Sequence, residues 1–430
     1  MLAACGMASA QKITFVPFGE GESANAYLEA SAISANGRYI AGGTGEYAFI
    51  TDMNTLETKA FISPKLVSGE DETATSDIRS ISNDGVGYGY MEDCAAKFDF
   101  ATGKYTKLHE DGGSTLYSTN AGDSLQLGVL YDDAWTRTPI IYVNGELQYL
   151  PEPKESTLGF EIQSGVAPTM SSENGDVIIG DVLDIYATSP MILWQKNADN
   201  KTYSLVPVCK RFFNPTFESW QKYDEFNGAA ISANGKWVAM NIHENYDLYA
   251  GEQDKGQFIA RYDVEADTLQ IISCPSKNDV FYYFANGISN DGTIIGTIVN
   301  KQTQGTTGII CEAGSTEAKD LSEVFPTIEE LNTMDGYENN TPCAITPDGR
   351  YIVGFGFMES PTDKNTLWYA SWRLDTQKTT DGVDNVTAEG ESSKVVASYN
   401  IDGTKVSNPK SSRFVINRLA NGKSVKQIVK

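Results

Sequence analysis

The chain has 430 residues, with 57 acidic and 33 basic side chains, and a net charge of −24 that repels nucleic-acid phosphates and anionic membrane surfaces. Hydrophobic side chains make up 40%, ample for a buried core, but they never run together for the roughly eighteen residues a membrane-crossing helix needs. Only two histidines are present, His109 and His243, and there is neither a Gly-x-Ser-x-Gly elbow nor a His-Glu-x-x-His pair, which excludes the common hydrolase and zinc-protease motifs.

Residues 1–11, MLAACGMASAQ, read as the end of a secretory signal, because Ala8-Ser9-Ala10 before Gln11 makes a small-residue cleavage site. An alternative lies in the same stretch: Leu2-Ala3-Ala4-Cys5 resembles a bacterial lipobox, with Cys5 as the lipidated residue. Either expectation places the protein in the periplasm, on the outer-membrane surface or outside the cell. The segment KITFVPF, from Lys12, is the first expected strand.

From Ala32 the chain repeats one signature: Ile-Ser, one residue, Asn or Asp, Gly, then an alternating apolar run. Versions start at Ile33, Ile81, Ser118 (a degenerate copy), Met170, Ile231, Ile288 and Ile345. Their glycines, Gly37, Gly85, Gly122, Gly175, Gly235, Gly292 and Gly349, are spaced by 48, 37, 53, 60, 57 and 57 residues, the length of a propeller blade. Asn-Gly or Asp-Gly between two apolar runs is a strong hairpin signal, since glycine accepts a positive φ without steric cost. A second apolar strand follows each turn, as in MILWQK or FIARYD, and then a short polar outer strand such as KYTKLH, which makes four strands per unit.

The seventh unit, ending at ASWRLDTQ, lacks an outer strand, and KITFVPF has no unit before it. The expectation is therefore an all-β fold over residues 12–377: a seven-bladed β-propeller closed by its N-terminal strand, which removes two exposed edges at once. The repeats, above all TPDGRYIVGF from Thr346, resemble the TolB-like and WD-repeat-like propellers. That resemblance implies a ring of blades with ligand or protein binding on a loop face.

On such a ring, loops from the outer strand of one blade to the inner strand of the next share a face with the loops joining the two middle strands. The aromatic-rich segment from Cys209 to Phe226 falls there, with Phe213, Phe217, Trp220 and Tyr223. Tyr246, Tyr249, Tyr282, Tyr283, Tyr337 and Glu338 belong to neighbouring segments of that face. Flat rings with carboxylates nearby suit a sugar or a peptide, because a ring offers large contact area at low entropic cost. These ten residues are the expected ligand-binding set; packing of the long loops onto the blades is the alternative role. No residue is assigned to catalysis, no cofactor is expected, and no dense Asp loop marks a metal. Sialidase-type propellers repeat a Ser-x-Asp-x-Gly-x-x-Trp box, whose spacing Ser232–Trp237 does not reproduce. Cys94, Cys209, Cys274, Cys311 and Cys343 remain after cleavage, an odd number that argues against a full disulfide framework.

After Gln377 the composition turns polar, and residues 378–394 read as a linker. The segment from 395 to 430 is expected to form a small, sandwich-like β domain. Tyr399, Gly403 and Val406, then RFVINRL and GKSVKQIVK, resemble the C-terminal sorting domain of type IX secretion in Bacteroidetes, which implies export. From Lys394 onward eight Lys/Arg face one Asp, a balance of +7, leaving −31 on the rest of the chain. Three functions follow as expectations: an exported monomer that binds a glycan, peptide or envelope protein; a polysaccharide hydrolase or lyase; or a purely structural surface protein.

Overall fold

The computed structural model describes residues 11–16, 28–109, 113–153, 165–182, 191–199, 201–206, 225–243, 257–275, 280–300, 305–326, 340–359, 367–376, 395–399, 414–419 and 424–428. The chain divides into two compact units, Met1–Lys378 and Thr379–Lys430. The first is a seven-bladed β-propeller. Among the described residues it holds seven four-stranded antiparallel sheets, the blades, spanning 29–61, 76–107, 114–149, 166–206, 225–272, 280–320, and 340–375 joined by 12–15.

The N-terminal latch is present as the sequence predicts. Lys12–Phe15 pairs antiparallel with Leu367–Asp375, Ile13 opposite Leu374 and Phe15 opposite Trp372, as the outermost strand of blade 7. Val16 continues the pairing through its N–H to the Ser371 carbonyl at 2.9 Å. The first strand of each blade is innermost, and each touches the next, with Asn340–Ile345 returning to Glu29–Ile33.

The core lies between blades rather than along the axis. Among the described residues, seven apolar clusters occupy the seven junctions. The junction of blades 3 and 4 holds Trp194, 0% exposed, whose indole N–H donates to the Pro151 carbonyl at 2.8 Å. At the seam, Val16 of the latch packs with Leu28, Ala30, Ile40 and Phe49 of blade 1 and Val353 of blade 7. Burying such side chains at each junction is the dominant stabilising term.

The repeated turn builds itself. Ser34 Oγ donates to Asn36 Oδ1 at 2.7 Å and accepts the Tyr39 N–H at 2.9 Å. The same pair of bonds recurs at Ser172, Ser232, Ser289 and Thr346. Gly37 sits at φ 72°, and a Cβ there would lie 2.1 Å from the Tyr351 ring, so both backbone and space exclude a side chain. Blade 3 departs from the expectation. Gly122 is not its left-handed residue; Asp123 is, at φ 57°. Asn120 takes the serine position and accepts the Ser124 and Leu125 N–H groups, shifting the turn by one. Aspartate tolerates that conformation, and its carboxylate is held there by Tyr88 Oη at 2.5 Å and Lys97 Nζ at 3.1 Å.

Hydrogen bonds run from turn to turn around the ring. The residue between the serine and the asparagine is Ala35, Asn83, Ala121, Glu173, Ala233, Asn290 and Pro347 in blade order, small alternating with polar. Asn83, Glu173 and Asn290 donate their N–H groups to the carbonyls of Ala121, Ala233 and Pro347. Their side chains accept from the previous blade's Asn36, Ala121 and Asn234 N–H groups. An odd ring breaks any alternation once, and the break falls at the seam, where Pro347 has no N–H to give. There Arg373 Nη1 donates instead to the Gly37 carbonyl at 2.5 Å.

In the second unit, the described residues form one three-stranded antiparallel sheet, Val395–Tyr399, Phe414–Leu419 and Ser424–Ile428. No helix among the described residues is long and apolar enough to cross a membrane.

Candidate functional site

Every innermost strand carries a β-bulge at the same place, and that of blade 6 has a second one near its start. The register slips across Ser31, Arg79, Tyr117, Thr169, Ala229, Asn286 and Cys343, each three residues before the first residue of its turn. A bulge leaves one residue unpaired and re-aims its side chain. All of these except Thr169 line the channel enclosed by the ring. Ser31 and Asn286 knit neighbouring blades, donating to the Ile78 and Pro342 carbonyls at 2.6 and 2.7 Å. Cys343 is a free thiol, as are Cys94, Cys274 and Cys311, and burial pushes its pKa up.

On the loop face the channel widens into a cavity of about 540 Å³ with Glu29, Asp77, Tyr90 and Asn286 in its wall. Asp77 is the second residue of the inner strand of blade 2 and rests against Gly43, where a Cβ would come within 2.8 Å of its carboxylate. Burial raises its pKa, with the nearby Arg79 charge acting the other way. Glu29 is raised too, by burial and then by the charge of Asp77. Two carboxyl groups from adjacent blades thus line one cavity, each with its neutral form favoured.

Beside that mouth lies a groove of about 380 Å³ between blades 2 and 3, which shares Tyr90 with it. Arg79 meets Asp77 through Nε at 3.5 Å, and its guanidinium stacks on the rings of Tyr90 and Tyr117 at 5.5 and 5.0 Å. Tyr117 Oη lies 3.3 Å from Tyr131 Oη, and burial leads in pushing the Tyr117 pKa up to about 12. Arg137 stacks over Tyr131 at 5.8 Å, and its Nη1 is buried without a hydrogen bond. A buried donor left unsatisfied costs about 1–3 kcal/mol.

Trp135 completes the groove. It tops the turn from Asp132 to Thr136, is 67% exposed, and holds φ at 61°, a conformation that costs a side-chain-bearing residue about 1–2 kcal/mol. Asp132 pins the turn, its carboxylate accepting the Ala134 and Thr136 N–H groups at 2.9 and 2.8 Å. The rings of Trp135 and Tyr131 lie 5.6 Å apart. Strain held by a braced turn, with a large ring presented to solvent, is a pattern of binding sites.

Of the ten residues expected from sequence, Tyr282 and Tyr283 are described. They lie on the inner strand of blade 6. Tyr282 stacks near Phe284 at 5.6 Å, whereas Tyr283 packs on the core between blades 5 and 6 and donates to the Pro275 carbonyl at 3.4 Å. Phe213, Phe217, Trp220, Tyr223, Tyr246, Tyr249, Tyr337 and Glu338 lie outside the described residues. The groove residues escape sequence reading because they are scattered from Thr75 to Arg137 and belong to no motif. The channel ring had a usable signal in its constant offset from the turn. His109 Nε2 is hydrogen-bonded to the Tyr142 hydroxyl, and His243 ends a strand of blade 5. Among the described residues no group of three or more His, Cys, Asp or Glu is placed to hold a metal.

No protein-family model matches the chain, and no curated protein matches it. Solved structures do. TolB from Acinetobacter baumannii is 13% identical, with a TM-score of 0.35 over 56% of this chain and 53% of that one. The chain therefore spans about half the length of that relative. The β-propeller domain of the Trilobed protease from Pyrococcus furiosus, described as having an open velcro topology, is 12% identical, with a TM-score of 0.46 over 87% of this chain and 100% of that one. A structure described in an analysis of two prolyl endopeptidases is 11% identical, with a TM-score of 0.48 over 91% of this chain and 54% of that one.

Proposed function

We propose that this propeller is an exported protein that binds a glycan, peptide or envelope protein on its loop face. The supporting observation is a concave region that the described residues form at that face. Carboxylates of Glu29 and Asp77, guanidiniums of Arg79 and Arg137, and the rings of Tyr90, Tyr131 and Trp135 converge there. A purely structural surface protein has no need of such convergence. Export is supported by the Ala8-Ser9-Ala10 boundary before the first strand and by the tail motif of Tyr399, Gly403 and Val406, which resembles the type IX sorting pattern of Bacteroidetes. The aromatic segment with Phe213, Phe217, Trp220 and Tyr223 extends the same face in this reading.

The test is binding of the full chain to a panel of glycans, peptides and envelope extracts. Trp220→Ala and Asp77→Asn should each weaken the interaction at least tenfold with the melting temperature held. Stability loss with unchanged binding would overturn the reading.

A second reading draws on one observation, the two carboxyl groups of Glu29 and Asp77 in one cavity wall: a polysaccharide hydrolase or lyase with these acids at the channel mouth. Turnover of a polysaccharide that disappears in both Glu29→Gln and Asp77→Asn supports it. Intact substrate across the panel removes it.

A further inference from the structure

We infer that the groove between blades 2 and 3 is a subsite for a carboxylate-bearing sugar, a uronic acid unit, held by Arg137 and Arg79 against the ring of Trp135. This rests on the loop face being the binding face and adds the chemical class of the ligand.

The lining decides the class. It consists of Thr75, Thr115, Gly113, Asp93, the two arginines, and the rings of Tyr90, Tyr131 and Trp135. No aliphatic side chain is among them, so an apolar peptide side chain finds no pocket. Hydroxyls and rings are what a pyranose uses: its C–H faces lie on aromatic carbons, and its hydroxyls exchange hydrogen bonds with Thr and Tyr. At about 380 Å³ the groove is of the size that holds a small ligand rather than a whole domain.

The arginines decide the charge. Arg79 meets Asp77 through Nε at 3.5 Å, and its guanidinium lines the groove between the rings of Tyr90 and Tyr117. Arg137 Nη1 is buried and unpaired. Guanidinium forks of this kind match a carboxylate in two-pronged geometry. Asp93, exposed on the rim, offsets part of the guanidinium charge and leaves one carboxylate as the load that fits the groove. Trp135 is rigid by construction, braced by Asp132, so stacking a sugar on it costs little ordering.

The probe is polygalacturonate, measured by affinity gel electrophoresis and by calorimetry on the full chain. Its methyl-esterified form, a neutral β-glucan and poly-glutamate run in parallel. The expected result is retardation by polygalacturonate that falls at least tenfold on esterification. Arg137→Gln and Trp135→Ala should each weaken binding tenfold or more, and Arg137→Lys should lose part of it. Trp135 is exposed, so its variant keeps the fold even if Arg137→Gln does not.

Equal binding of the esterified polymer overturns the role of the arginines. Poly-glutamate binding as tightly as polygalacturonate overturns the sugar. Polygalacturonate binding untouched by both variants places the ligand elsewhere and also overturns the assignment. Capture of other glycans or of envelope extract, without polygalacturonate, overturns this inference and leaves the loop-face reading standing. Silence across every probe sinks both.

Discussion

Ring closure is open to a direct energetic test at Ser371. This serine, 0% exposed in blade 7, donates to the Leu28 carbonyl at 2.6 Å and accepts the Ala30 N–H at 2.7 Å, both in the approach to blade 1 or its inner strand. Ser76 does the same across blades 1 and 2, donating to the Phe61 carbonyl at 2.7 Å and accepting the Ala48 N–H at 2.9 Å. Alanine at either position leaves two buried backbone groups unpaired. At about 1–3 kcal/mol for each group, less some relaxation, Ser371→Ala should cost about 2–4 kcal/mol, and Ser76→Ala a similar amount. Denaturant unfolding of the full chain measures both, with the slope checked for constancy. The comparison matters because Ser371 is useful only while blades 7 and 1 are docked. A loss below about 1 kcal/mol at Ser371, beside the full loss at Ser76, would show the ring open at its seam and refute the latch argument.

Two further predictions concern local chemistry. Gly37→Ala and Gly45→Ala place a side chain at similar positive φ, 72° and 88°, but the first meets the Tyr351 ring at 2.1 Å and the second meets nothing within 4 Å. Thermal or denaturant unfolding should show about 1 kcal/mol lost at Gly45 and about 2–4 at Gly37; equal losses would mean the ring yields freely. Glu92 has its pKa brought down to about 2, because bonds from Lys107 and Ser63 outweigh the upward push of burial. Its contribution is full above the unfolded carboxylate value and is lost as pH falls toward 2, so stability should decline between about pH 5 and pH 2. Glu92→Gln should remove about 1–2 kcal/mol of that slope; an unchanged acid profile in the variant would assign the slope to other carboxylates.

Much of the fold was legible because each blade announces itself locally. A serine that bonds its own turn, followed by a glycine at positive φ, is specified by four neighbouring residues. The latch was legible by subtraction, since one unit lacked an outer strand and one strand lacked a unit. Blade 3 shows the limit: Gly122 looks like the turn residue, yet Asn120 sets the frame and Asp123 takes the left-handed position. Tyr88 and Lys97, from another blade, hold that aspartate, and a contact of that range has no local signature.

The site divides along the same line. Tyr283, one of the expected ligand-binding rings, is partly buried against the core between blades 5 and 6, and the side of the strand it occupies depends on the bulges at Phe281 and Asn286. Alternation along one strand predicts two faces but not which one a neighbouring blade covers. The charge of the body, the repeat, its seven copies and the need for a closing strand belong to the amino-acid order alone, because they rest on interactions spanning a few residues. Which side chains meet across blades belongs to the closed ring. Thr75, Arg79, Tyr90, Tyr131, Trp135 and Arg137 become one groove only because each blade buries its apolar face on the next and so brings their loop ends together.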